Sequence, residues 1–127
     1  MIVYSTLHDI PEIEEIYTEA RAFQQQHFGP WWPVFTREFI ADEIKNKEHL
    51  KITTAQGMIA AVFSVVKAEP VIWNDREGKE ALYLHRMAVR DSCRGQGIAG
   101  RIVEWAKAEA RKQERSHVRL DTWADNE

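Results

Sequence analysis

Residues 83–115 read YLHRMAVRDSCRGQGIAGRIVEWAKAEARKQER, and the spacing of the apolar residues changes character partway along this stretch. Ala81 to Val89 is rich in β-formers and bounded by charged residues, which predicts a strand. Arg90-Asp91-Ser92-Cys93-Arg94 follows as a polar connection. From Ile98 the spacing is helical. Ile98, Ile102, Trp105 and Ala106 fall on one stripe, whereas Arg101, Glu104, Lys107 and Arg111 fall mostly on another. Arg94-Gly95-Gln96-Gly97-Ile98-Ala99 joins the two elements. A strand, a glycine-containing turn and a helix N-terminus form a ready site for a phosphate. The first N–H groups of a helix have no internal partner, the dipole there favours an anion, and glycine permits close approach. Two glycines before a helix also suit a tight connection with no ligand. No Gly-Lys-Ser/Thr follows, so the turn is not a Walker loop. Gly95, Gly97 and Gly100 fall at the G-x-G-x-x-G spacing, which by itself is a weak signal of a dinucleotide fingerprint.

Composition sets the outer bounds. With 127 residues, 44% of them hydrophobic and 29% charged, residues 1–127 suit a single domain with one ordinary core. A net charge of -3 gives no general attraction to nucleic acid or to an anionic membrane, and neither is expected as a partner. The basic cluster from Arg111 to Arg115 suits a solvated helix C-terminus. No apolar run approaches the ~20 residues of a membrane span, and the first residues lack the basic-then-apolar pattern of a signal peptide. The lone Cys93 excludes an internal disulfide and has no companions for a metal site. A reducing cytoplasm is the expected setting.

Outward from the central stretch, Met1 to Leu7 reads as a short strand. Asp9 and Pro11 open a helix to about Gln26, with Ile13, Ile16, Tyr17, Ala20 and Phe23 at helical spacing. Gly29-Pro30-Trp31-Trp32-Pro33 ends it in an aromatic loop. Thr36 is placed to cap a second helix, Arg37 to Lys47, whose inner face is Phe39, Ile40 and Ile44. Leu50–Thr54 and Met58–Val66 flank Ala55-Gln56-Gly57 and predict a β-hairpin. Lys67 to Lys79 forms a polar loop, and Val118 to Thr122 a last strand beside Ala81–Val89.

Val89, four intervening residues and Arg94-x-x-Gly97-x-Ala99 resemble the acetyl-coenzyme A signature of the GNAT superfamily of N-acetyltransferases, Arg/Gln-x-x-Gly-x-Gly/Ala. His85-Arg86-Met87-Ala88-Val89 is similar to the family's central strand, and the element order agrees over nearly the whole chain. The resemblance implies an α/β fold (α+β in some schemes): a mixed, mostly antiparallel twisted sheet flanked by helices on both faces. Members normally continue past Leu120-Asp121-Thr122-Trp123-Ala124-Asp125-Asn126 with a helix and two strands, so a C-terminally truncated form of the fold is expected. An open edge at Val118–Thr122 then predicts a homodimer through that strand.

The resemblance also implies where acetyl-CoA would lie. Met87, Ala88 and Val89 would flank the pantetheine through backbone groups of the central strand. N–H groups of Arg94, Gly95, Gln96, Gly97, Ile98, Ala99 and Gly100 would hold the pyrophosphate. Arg94 and Arg101 would add charge, and Asn126 would touch the cofactor. Acetyl transfer needs a neutral amine, a polarised thioester carbonyl and a proton for the leaving thiolate. His85 is the candidate base, because imidazole titrates near neutrality and Tyr83, His85 and Met87 would share one face of a regular strand. A structural histidine is the competing reading. Tyr83 is the candidate proton donor, or a packed aromatic. Phe28, Trp31, Trp32 and Phe35 either wall an acceptor or cover the core, as does Trp73. Asp121 either pairs with an acceptor ammonium or makes structural hydrogen bonds. The expected activity is N-acetyltransfer to a primary amine of a small molecule or peptide, without a metal. An acyl-CoA-binding regulatory module and a half-domain needing a partner are the alternatives.

Overall fold

Among the described residues five strands pair in sequence order: β1 (Ile2–Tyr4), β2 (His49–Thr53), β3 (Ile59–Val66), β4 (Ala81–Val89) and β5 (His117–Asp121). The structure, a computed structural model, describes residues 1–26, 32–66, 81–113 and 117–121. The first four strands are antiparallel, whereas β5 runs parallel to β4. A parallel neighbour requires a crossover, and helix α3 (Ile98–Lys112) supplies it. Helices α1 (Ile10–Gln25) and α2 (Arg37–Lys45) precede β2.

The sheet is covered on both faces, as the mixed α/β fold expected from sequence requires. On one face Ile13, Ile16, Tyr17 and Ala20 of α1 join Ile40 of α2 against Ile59, Val62 and Ala88. On the other, Ile98, Ile102 and Ala106 of α3 pack on Leu50, Ile52, Ala61, Phe63 and Leu84. Trp105 completes that stripe, its ring 5.4 Å from Phe63 and tilted by 69°. Each fully buried isoleucine or leucine here contributes about 1.5–3 kcal/mol. No described helix is long and apolar enough to cross a membrane.

Local readings hold with small shifts at the ends. Thr36 caps α2, its Oγ1 accepting the N–H of Phe39 at 3.0 Å. The hairpin turns at Gly57 with φ 87°, and the Thr54 N–H donates to the Met58 carbonyl. Asp9 departs from expectation. It does not cap α1 with its side chain; its Oδ2 accepts the Thr6 N–H at 2.8 Å and meets Lys51 at 2.7 Å. A 3-10 turn over Leu7–Asp9, which the apolar pattern did not mark, separates β1 from α1. Phe39 is another departure. It is partly exposed rather than a core residue of α2, stacked on Phe35 at 5.4 Å.

A buried polar chain ties β1, α1 and β2 together. Ser5 Oγ lies 2.8 Å from Nδ1 of His49, and the Tyr17 hydroxyl lies 3.0 Å from its Nε2. Burial pushes His49 down to about 4, opposed by the Asp9 carboxylate, so the ring is neutral at pH 7. Burial likewise pushes Tyr17 up to about 12, opposed by Arg86. The sign of the linkage follows. As pH falls below ~6.5 the unfolded chain protonates His49 and the native state does not, so stability drops down to about pH 4 and then levels. Between pH 7 and pH 4.5 this group is expected to remove about 2–3 kcal/mol. Denaturant unfolding at the two pH values measures it, and His49→Gln should flatten the slope by that amount. An equal slope in the variant would assign the acid sensitivity elsewhere.

Candidate active site

The site is built around the second half of β4 and the turn that follows it. The pairing of β4 with β5 runs from Ala81↔His117 to His85↔Asp121, and among the described residues it stops there. Beyond His85, Arg86 to Val89 have β3 as their partner strand among the described residues, which end at Asp121 on the β5 side. Alternation along a strand then fixes which groups face away from β3. The Arg90 N–H donates to the Ala60 carbonyl on the β3 side at 2.8 Å. The backbone groups of Val89 and Met87 therefore point away from β3, to the side on which β5 pairs with the first half of β4.

The register of β4 carries a bulge. Val62 pairs with Ala88 but Ser64 pairs with His85, so Arg86 and Met87 together face Phe63. Arg86 adopts φ 50°, a left-handed conformation that costs a non-glycine residue about 1–2 kcal/mol. The extra residue reverses the alternation, which corrects the sequence reading of the strand. Met87 packs with Leu84 and Phe63 on the α3 face. His85 lies opposite Ser64, whose Oγ donates to Glu43 of α2, and so belongs to the other face. Tyr83 stays with His85, their rings 6.5 Å apart and near-parallel. Both are buried.

Acidic residues of α1 fix the end of β4. Glu12 accepts the Ile59 N–H at 3.0 Å and pairs with Arg90 at 2.8 Å, while Arg90 Nε donates to the Ile59 carbonyl. Glu19 accepts the Asp91 N–H at 2.9 Å. A 3-10 turn, Asp91–Cys93, then leads into the glycine turn. Gly95 and Gly97 have φ 82° and 75°, values that favour glycine, and a Cβ built on Gly95, Gly97 or Gly100 meets nothing within 4 Å. Gly97 is the N-cap of α3 and offers no side chain to it, and the first intrahelical bond runs from the Arg101 N–H to the Gly97 carbonyl. The N–H groups of Ile98, Ala99 and Gly100 have no hydrogen bond among the described residues, at the positive end of the α3 dipole. That is a cradle into which an anion fits, as a coenzyme A pyrophosphate requires.

The two arginines behave differently from one another. Arg94 turns back onto the protein: it pairs with Asp91 at 2.8 Å and lies 4.0 Å over the Phe23 ring. These contacts tie its guanidinium to the 3-10 turn and to α1. Arg101 is exposed on the first turn of α3, with no ion pair among the described residues. The aromatic wall is partly in view. Trp32 and Phe35 pack on Tyr17 at 6.1 and 5.2 Å, so for these two the core-covering reading holds. Phe28, Trp31, Trp73 and Asn126 lie outside the described residues. Among the described residues no group of three or more His, Cys, Asp or Glu is placed to hold a metal ion.

Sequence reasoning missed a polar cluster beside the bulge. Arg86 forms an ion pair with Glu43, which also accepts from Ser64 Oγ at 2.9 Å. The guanidinium lies 5.6 Å over Phe35 and 5.0 Å over Phe39. The signal was present: Glu43 follows Ile40 by three residues on the inward stripe of α2, and Arg86 interrupts an apolar strand.

The comparisons agree with this geometry. The sequence model of the Acetyltransferase (GNAT) family matches residues 10–127. The chain is 32% identical over 86 residues to a Bacillus subtilis (strain 168) protein described as uncharacterized N-acetyltransferase YesJ, covering 65% of this chain and 48% of that one. It thus spans about half the length of the curated relative it matches. A GNAT-family acetyltransferase from Listeria monocytogenes 4b F2365 has a TM-score of 0.81 at 18% identity, over 99% of this chain and 78% of that one. Rv2747 from Mycobacterium tuberculosis, solved in complex with CoA, has a TM-score of 0.69 at 16% identity, over 98% of this chain and 65% of the other. Strand, glycine turn and helix are thus those of an acetyltransferase fold. The chain belongs to the acetyltransferase (GNAT) family.

Proposed function

We propose that this chain binds acetyl-CoA and transfers its acetyl group to a primary amine of a small molecule or peptide by direct attack. The observation that carries the reading is a β4 strand whose Met87 and Val89 backbone groups turn away from β3, toward the side where a gap beside β5 would lie, and which leads to a glycine-lined helix N-terminus with no side-chain cap. The name of the Bacillus subtilis relative supports N-acetyl transfer, and the CoA complex of Rv2747 supports the cofactor class.

Acetyl-CoA supplies an activated acetyl group as a thioester: a C–N bond replaces the C–S bond, the amine gives up a proton and the departing thiolate gains one. The chain's residues would serve that exchange in distinct ways. Backbone groups of Met87 and Val89 would pair with the pantetheine amides as an added strand would. The Met87 N–H would polarise the carbonyl oxygen. His85, at the vertex of the gap, would take the amine proton through a water. Tyr83, beside it on the same face, would return a proton to sulfur. The N–H groups around Gly95 to Gly100 would hold the pyrophosphate, with Arg101 adding charge.

The test is thiol release from acetyl-CoA across a panel of polyamines, amino acids, aminoglycosides and peptide amines. Amine-dependent release with formation of the N-acetyl product is expected for one class. CoA binding without turnover on any amine would favour a binding module, and no CoA binding would defeat both. The self-association expected at β5 stays with this proposal. Among the described residues β5 pairs with β4 alone, and a monomer by sedimentation at assay concentrations would overturn it.

A further inference from the structure

We propose that Glu43 and Arg86 form a clamp that holds the β4 bulge in the shape acetyl transfer needs, which makes both of them positioning residues. The inference rests on the acetyltransferase reading above. Arg86 takes a backbone shape that arginine rarely adopts, in the middle of a strand whose neighbours are extended. Such a conformation persists only where its surroundings over-determine it.

The surroundings here are specific. Glu43 of α2 pairs with the guanidinium, Ser64 Oγ lies 3.3 Å from Nη2, and Phe35 and Phe39 present their ring faces to it. Glu43 is itself buried and held by Ser64. These groups come from α2, its preceding loop and β3, and Tyr17 of α1 also hydrogen-bonds Arg86, so the named partners lie outside the strand that bears the bulge. The bulge also has a consequence for the site. Were Arg86 to relax to extended backbone, the strand beyond it would slip by one residue, and a one-residue slip turns every group to the opposite side. The Met87 N–H would then leave the proposed gap, and its side chain would leave the α3 face where it now packs. Glu43 therefore acts on the site through Arg86.

Glu43→Gln keeps the shape and the bond to Ser64 but removes the charge that Arg86 answers. It is expected to lower kcat by about 10- to 100-fold, the range that small misplacements of a catalytic group produce, with KM for acetyl-CoA changed by less than about twofold because the phosphate cradle lies elsewhere. Glycine adopts a positive φ without strain, so Arg86→Gly added to Glu43→Gln should recover much of the lost kcat. Recovery is the outcome that a directly acting or merely structural Glu43 does not give. Unchanged kcat in Glu43→Gln, or no recovery in the double variant, overturns the clamp. If Glu43→Gln does not fold, Glu43→Asp, which keeps the charge but withdraws it, replaces it in the same pair. A second readout needs no turnover: the amide–α coupling and carbon shifts of Arg86, which distinguish left-handed from extended backbone. They should move toward extended values in Glu43→Gln, and left-handed values kept there overturn the proposal. If the wild type acetylates no amine, the acetyltransferase reading has failed, and this readout alone decides the clamp.

Discussion

Replacing His85 by alanine is expected to lower kcat for acetyl transfer by about 10²–10⁴-fold, roughly 3–5 kcal/mol of barrier, and to leave CoA affinity nearly intact. The expectation follows from position. His85 pairs with Ser64 of β3 and Asp121 of β5, two residues before Met87, so it stands beside the proposed gap. The bulge after it sends its side chain to the α1–α2 face while the backbone of Met87 turns away from β3. Base and polarising N–H are thus neighbours in sequence but approach from different directions. A histidine base leaves an acidic limb in the pH–rate profile, and that limb should vanish in the variant. His85→Gln, which can hydrogen-bond but not take a proton at neutral pH, should be as slow as alanine. Wild-type turnover in either variant, with an unmoved pH profile, would make the residue structural.

Gly97→Glu carries the other large effect. A Cβ at Gly97 meets no protein atom within 4 Å, so the fold should survive with a loss of about 1–2 kcal/mol from the left-handed backbone at φ 75°. Its carboxylate would sit at the N-terminus of α3, the place proposed for the pyrophosphate. CoA affinity measured by calorimetry should fall at least tenfold, about 1.4 kcal/mol or more. Gly97→Ala, with strain but little bulk and no charge, should fall between the two. Equal affinity for wild type and a folded Gly97→Glu would remove the cradle from the account.

What the sequence made legible, and what it did not, divides by range. The change of apolar period at Ile98 is a local signal, and β4, α3 and the glycine turn lie where it places them. The side-chain cap at Thr36 and the turn at Gly57 are local too. The bulge at Arg86 is not. LHRMAV alternates well enough for a straight strand, and the extra residue exists only through pairing with Val62 and Ser64. Hence Tyr83, His85 and Met87 read as one face, although the fold divides them. Ser5, His49 and Tyr17 likewise meet from separate elements, so no window contains their hydrogen bonds. Phe39 reads as core from its spacing but lies half exposed over Arg86, because the buried Glu43 carboxylate needs Arg86 as partner and an aromatic ring can cover that partner from the half-exposed side.

The central claim is that coenzyme A runs along the second half of β4 and ends on the first turn of α3. Titrating CoA into the labelled protein and following the backbone amides tests it most directly. Met87, Val89 and residues 95–100 are predicted to shift together at one saturating stoichiometry, with Ile2–Tyr4 and the hairpin turn at Gly57 unmoved. Shifts confined to other elements, or none at all, would contradict it.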